Sequence, residues 1–182
     1  IRDLINQGAC IDAFGVGERL ITSKSEPVFG GVYKLAAIED AEGNVIPKIK
    51  VSENPSKVTT PHFKKVWRIF EQESDKAIED LITVYDEPMD ETKPLELFDP
   101  DAVWKRETVE RYRAEELLRS IFKSGELVYD LPDIETIRAY CARQIERQWD
   151  EVKRFENPHN YYVDLSQKLW NIKADLLQQA KA

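Results

Sequence analysis

Nine residues, Ile11-Asp12-Ala13-Phe14-Gly15-Val16-Gly17-Glu18-Arg19, constrain this chain more than any other stretch. Residues 9–14 are apolar apart from Asp12, short, and bounded by glycine on both sides. That pattern fits a strand buried on both faces, as in a parallel sheet. The glycines that follow allow a tight turn whose backbone N–H groups converge with no Cβ in the way, an arrangement suited to a phosphate. Ligands of α/β folds bind just beyond the carboxyl ends of strands. A helix starting near Gly17 would add free N–H groups, and Arg19 a charge-assisted contact. The turn is neither GxGxxG nor a P-loop, because no Gly-Lys-Ser/Thr follows. Read locally, it either holds a phosphate or simply reverses the chain.

Ahead of it, Leu4, Ile5 and Gln7 before Gly8 predict the last turn of a helix with a glycine C-cap. Beyond it, residues 29–38, a turn at Glu42-Gly43-Asn44 and residues 45–51 predict a hairpin. Residues 66–70, 77–85 and 95–98 predict further strands. From Asp99 the pattern turns helical. Asp99 can cap, Pro100 suits the first helical position, and Val109, Tyr112, Leu117, Leu118 and Ile121 form a rough stripe. A helix is expected from Asp133, with Ile134, Ile137, Cys141, Ile145, Trp149 and Val152 in steps of three and four. Leu165, Leu169, Ile172 and Leu176 mark a final one. The expected class is α/β: residues 1–98 with the glycine turn and hairpins, then a helical C-terminal segment over 99–182.

Charge narrows the function. Against 34 acidic residues stand 26 Lys and Arg, for a net charge of -8. A nucleic-acid binder usually carries a basic footprint, and a membrane span needs about 18 consecutive apolar residues; neither is expected here. Two cysteines, Cys10 and Cys141, without a CxxC, suggest a reducing cytoplasm, with Cys10 as a core residue. His62 and His159 are the only histidines. They fall in no metal-ligand spacing and have no evident nucleophile to activate, so no metal site and no catalytic residue is expected in this chain. Asp12 would meet a sugar hydroxyl or a metal, or be a hydrogen-bonded acid at a strand end. Lys57, His62, Lys64, Lys65 and Arg68 form the one basic cluster. It faces an anionic substrate or is an exposed loop, and His62 and Lys64 join Asp12 as secondary candidates. Ser25, Phe29, Gly30 and Gly31 form a second glycine patch, read as close packing or a bulge. The opening at Ile1 rather than a methionine is expected to mark a piece of a longer protein.

IDAFGVGERLIT, PVFGGVYKL and KIKVSENPSKVTTPHFKKVWRIF, with YYVDLSQKLWNIKADLL near the end, together resemble nicotinate phosphoribosyltransferase over nearly the whole chain. The resemblance implies transfer of phosphoribose from phosphoribosyl pyrophosphate to nicotinate, giving nicotinate mononucleotide and pyrophosphate in NAD biosynthesis. It also implies ATP hydrolysis with Mg2+ and a homodimer with active sites near the subunit interface. The implied fold is an irregular type II phosphoribosyltransferase α/β barrel with an added β-rich domain, this chain being its C-terminal part.

Carried over, Gly15, Val16 and Gly17 match the turn that holds the 5′-phosphate. Glu18 stands where many members have threonine. An acid beside a phosphate is electrostatically unhelpful, so a contact there would use the backbone N–H, and Arg19 either compensates or does not. The base-binding residues and the phosphorylated histidine of the family lie upstream, and neither His62 nor His159 matches that histidine. Two other readings stay open: a non-catalytic phosphate- or nucleotide-binding module, and a helical interaction segment over residues 99–182.

Overall fold

A computed structural model describes residues 1–28 and 30–180. The chain divides into two compact units, Ile1–Tyr33 and Lys34–Ala182.

In the first unit, helix α1 (Arg2–Asn6) stops where glycine was expected to stop it. Gly8 takes φ +74°. Its N–H donates to the Ile5 carbonyl at 2.9 Å, and the Ala9 N–H to that of Leu4 at 3.0 Å, the paired bonds of a Schellman close. Residues 9–14, expected as a buried strand, are not one. Ile11 and Phe14 are 40% and 41% exposed. A strand is held by its ladder to a neighbour, and the described residues of this unit contain no second strand. Cys10, expected in a core, is exposed, as is Cys141. Helix α2 (Glu18–Ile21) follows the glycine turn. It closes at Ser23, with φ +46°, through bonds from Ser23 N–H to Leu20 O and from Lys24 N–H to Arg19 O, both 3.1 Å. Phe29 of the second glycine patch lies outside the described residues.

The second unit opens with an antiparallel hairpin, β1 (Ala37–Glu39) and β2 (Val45–Pro47), shorter than the sequence suggested. Asp40 makes its turn by accepting the N–H groups of Glu42 and Asn44 at 3.1 and 2.7 Å, with Gly43 at φ +86°. The expected strands at 66–70, 77–85 and 95–98 are present as β3 (Lys64–Glu71), β4 (Ala77–Val84) and β5 (Leu95–Phe98). Then come β6 (Arg106–Val109), β7 (Tyr112–Glu116), the short β8 (Phe122–Lys123) and β9 (Glu126–Leu127). Helices α3 (Ile134–Glu146) and α4 (Asp150–Lys153), strand β10 (Val163–Leu165) and helix α5 (Gln167–Gln179) complete the unit.

Two expectations need correction. Residues 106–116 were expected to be helical and are two strands. Ala and Glu favour helix only by fractions of a kcal/mol. Pairing of β6 with β5 and of β7 with β3 outweighs that preference, and alternation puts Tyr112 and Ala114 on the core. Asp99 caps a turn rather than a helix, its carboxylate accepting the Asp101 N–H at 2.9 Å. The second concerns the barrel. The fold is mixed α/β, but its main sheet is open, in the order β10-β4-β3-β7. A barrel that side chains fill takes about eight strands, and no closed one forms among the described residues.

The sheet packs on both faces. Ile69, Leu81, Leu97 and Tyr112 form one cluster beneath the β5–β6 hairpin. Val84 and Leu165 meet Leu169 of α5 on the other. Each such side chain contributes roughly 1.5–3 kcal/mol of burial. Asp133 caps α3 by accepting the Thr136 N–H at 2.7 Å, and Ser166 caps α5 by accepting that of Leu169 at 3.2 Å. The end of α3 is tied to the sheet: the Ala77 N–H donates to the Arg147 carbonyl at 2.8 Å, and the Lys76 ammonium to that of Glu146 at 2.7 Å.

Candidate functional site

Gly17 is the N-cap residue of α2, at φ -91° and ψ -168°. That is extended backbone any residue adopts. A Cβ built on Gly15 or Gly17 meets nothing within 4 Å. Neither conformation nor packing among the described residues therefore calls for glycine at these two positions. The Leu20 N–H donates to the Gly17 carbonyl at 3.1 Å, leaving those of Glu18 and Arg19 without an acceptor in their own helix. With four residues in α2, the macrodipole is small, so an anion here would depend on individual N–H groups and on a nearby cation. Arg19 is such a cation, exposed in the same turn of helix. Glu18 is exposed at the first helical position, and Asp12 is exposed in the segment ahead.

His62 and Lys64 lie in the second unit. His62 takes φ +80°, and its Nδ1 accepts the N–H of Phe63 at 3.0 Å. The Lys64 ammonium donates to the carbonyls of Thr60, Pro61 and His62 at 2.9, 3.2 and 2.7 Å. An ammonium has three donors, so Lys64 holds the 60–62 loop and keeps none for a ligand. Burial shifts its pKa down. Lys65 pairs with Glu116 at 3.4 Å. Arg68 lies in β3, its Nε and Nη2 donating to the two carboxylate oxygens of Asp80 at 2.8 and 3.0 Å. Most of the predicted basic cluster is thus spent on internal contacts along a strand.

The sequence reading missed two buried polar groupings. Asp80 also accepts the Tyr161 hydroxyl at 2.8 Å. The bond to Asp80 shifts the Arg68 pKa upward, while burial and then Asp80 push that of Tyr161 up. Facing the opposite side of the sheet, Glu79 and Asp164 are both buried and hydrogen-bonded to each other. Burial, and then the Asp164 charge, raise the Glu79 pKa well above the usual carboxylate range. Glu79 alternating with Leu81 in β4, a strand that also buries Asp80 and Thr83, was the one signal for this pair.

Residues 63–173 match the profile of the nicotinate phosphoribosyltransferase C-terminal domain. The chain belongs to the nicotinate phosphoribosyltransferase family. It is 40% identical to nicotinate phosphoribosyltransferase of Bacillus subtilis (strain 168) over 182 residues, all of this chain and 37% of that protein. The enzyme of that name from Caenorhabditis elegans is 34% identical over 174 residues, covering 93% of this chain and 30% of its own. A crystal structure of human nicotinic acid phosphoribosyltransferase superposes with a TM-score of 0.60 at 25% identity, over 65% of this chain and 24% of that one. The chain thus spans about a third of the length of these relatives.

The nicotinate phosphoribosyltransferase profile covers the main sheet, both buried polar groupings and the first half of α5. The glycine turn lies outside it, within the stretch shared with the Bacillus subtilis protein. Among the described residues, no three His, Cys, Asp or Glu side chains converge to hold a metal ion. No helix among them is long and apolar enough to cross a membrane.

Proposed function

We propose that this chain is the C-terminal part of a nicotinate phosphoribosyltransferase and that Gly15 to Arg19 hold the 5′-phosphate of its phosphoribosyl substrate. One observation carries the reading: 40% identity along the entire chain to an enzyme of that name. The glycine turn adds physical support. Gly15 and Gly17 answer no requirement of their own unit, neither a left-handed φ nor a close neighbour. A phosphate approaching the backbone supplies one, because a Cβ would stand between the anion and the N–H groups.

In the proposed reaction the bond from the anomeric carbon to the pyrophosphate oxygen breaks. A bond from that carbon to the nicotinate ring nitrogen forms, and pyrophosphate leaves with the electron pair. The part of this chain is to bind and orient. N–H groups at the start of α2 fix the 5′-phosphate, with Arg19 offsetting its charge and the Glu18 side chain turned to solvent. Fixing a remote phosphate lets its binding energy position the reacting carbon.

The bond-making groups, and the strands that would close a barrel and pair with residues 9–14, belong in this reading to sequence beyond the 182 residues. ATP hydrolysis, a homodimer and a cytoplasmic setting are part of the same proposal, the last in keeping with two exposed free thiols. The described residues do not assemble ligands for Mg2+. The test is product formation by the intact protein from nicotinate and phosphoribosyl pyrophosphate, with and without ATP. Nicotinate mononucleotide and pyrophosphate in equal amounts are expected; product from nicotinamide alone, or none at all, overturns the reading.

A further inference from the structure

An ion-pair network at the end of β7 leaves two guanidiniums over. Arg113 and Arg147 share Asp75, at 2.8 and 3.0 Å, and Glu115, at 3.5 and 3.2 Å. There the charges balance, two cations against two carboxylates. Arg119 and Arg143 come on top of that balance. Arg119 is anchored, its Nη1 donating to the carbonyls of Glu116 and Leu118 at 2.7 and 3.2 Å. Its Nη2 stands 3.9 Å from Glu115, beyond hydrogen-bond reach, so Nε and Nη2 keep donors to spare. Arg143 is exposed, and no hydrogen bond or ion pair engages its guanidinium among the described residues.

Both arginines line a cavity of about 340 Å³. One face of α3 walls it, with Ile137 and Tyr140 ahead of Arg143 in steps of three. Leu117, Tyr129 and Pro132 wall it from outside that helix. Glu115 is the only acid in the lining, and its charge is already met by Arg113 and Arg147. In a chain of net charge -8, this cavity therefore carries an excess of positive charge. The hydroxyls of Tyr129 and Tyr140 also make no hydrogen bond among the described residues. A cavity near the small end of the usual range for ligand pockets suits one substituted ring rather than a nucleotide. Its charge calls for an anion, and a guanidinium matches a carboxylate through two parallel N–H bonds. Its aromatic and aliphatic walls call for a flat apolar body beside that anion.

We propose that this cavity binds a small aromatic carboxylate, the carboxylate taken by Arg143 and the spare donors of Arg119, the ring by Tyr129, Ile137 and Tyr140. Arg119, held by two main-chain carbonyls, is preset for the anion, which spares part of the ordering cost of binding. The proposal stands on residues 115–143 and is independent of what the glycine turn holds.

Titration calorimetry of the intact protein with sodium benzoate at pH 7 tests this, with sodium chloride holding the ionic strength. A saturable site is expected. Benzamide, the ring without the charge, should bind at least about tenfold more weakly. Cyclohexanecarboxylate, the charge without the aromatic face, should bind a few-fold more weakly. Arg143→Gln should weaken benzoate at this site at least about tenfold and leave the thermal midpoint unchanged. Arg138→Gln, on the same helix but paired with Glu135 and outside the lining, should bind as the parent does. Benzoate held elsewhere in the intact protein shows as binding that Arg143→Gln retains, so the difference between parent and variant reads this cavity alone. The proposal is overturned by no saturable binding, by an isotherm that Arg143→Gln leaves unchanged, by an equal loss in Arg138→Gln, or by benzamide or cyclohexanecarboxylate binding as tightly as benzoate.

Discussion

The guanidinium carbon of Arg147 lies 3.6 Å from the centroid of the Phe70 ring. The same guanidinium donates to Glu115 and to Asp75, at 3.2 Å each, and Arg113 also stands over the Phe70 ring, at 4.5 Å. One residue past α3 thus joins helix, sheet and the β3–β4 turn. Arg147→Ala should cost about 1–3 kcal/mol, from the lost cation–π contact and the lost ion pairs, Asp75 and Glu115 each keeping Arg113. Arg147→Lys should recover only part of this, since an ammonium cannot lie flat on a ring while reaching two acids. Urea denaturation measures both; an unchanged midpoint for Arg147→Ala refutes the assignment.

Asp80 is the hub of the second buried grouping, accepting from Arg68 and Tyr161. Asp80→Asn leaves the Arg68 charge partly buried without its partner and should cost about 3 kcal/mol. Tyr161→Phe removes a single hydrogen bond and should cost about 1 kcal/mol. The double variant should be less destabilised than the two costs summed, because both act on the same carboxylate. Strict additivity would mean that Tyr161 and Asp80 are not coupled.

The raised Glu79 pKa sets a pH dependence of stability. Unfolded, its carboxyl titrates near about 4.3; folded, burial and the neighbouring acid hold the proton on up to about pH 8. Between those values the folded chain binds the extra proton, so stability falls as pH rises, by at most about 1.4 kcal/mol per pH unit. Glu79→Gln cannot ionise and should flatten the decline between pH 5 and 8, the variant gaining on the parent as pH increases. Thermal melts at unit pH steps read this out. A parent curve that rises over that range would contradict the account.

How much of this was legible in the sequence depended on whether local and tertiary signals agreed. In residues 66–70, 77–85 and 95–98 the strand pattern matched the partners each segment found, and β3, β4 and β5 form where expected. Gly8, Asp133 and the apolar spacing of the last helix marked termini that hold. Residues 106–116 misled because good helix formers there pair as strands with β5 and β3, a choice made by neighbours distant in sequence. Residues 9–14 misled because an apolar run becomes a buried strand only beside other strands, and the described residues of its unit have none. The acid pair stayed hidden because Glu79 and Asp164 meet only through the parallel pairing of β10 with β4. At the glycine turn, spacing left phosphate binding and chain reversal both open, and family resemblance favoured the former.

Gly17→Asp in the intact protein tests most directly whether Gly15 to Arg19 hold a phosphate. Gly17 is an extended N-cap with open space at its Cβ position. Aspartate is a favoured N-cap, so the change should leave the local fold intact or slightly firmer. Its carboxylate would fill the anion's place and repel it. The KM for phosphoribosyl pyrophosphate should rise at least about tenfold, with the thermal midpoint unchanged or higher; an unchanged KM in a folded Gly17→Asp enzyme would mean that the turn does not hold the phosphate.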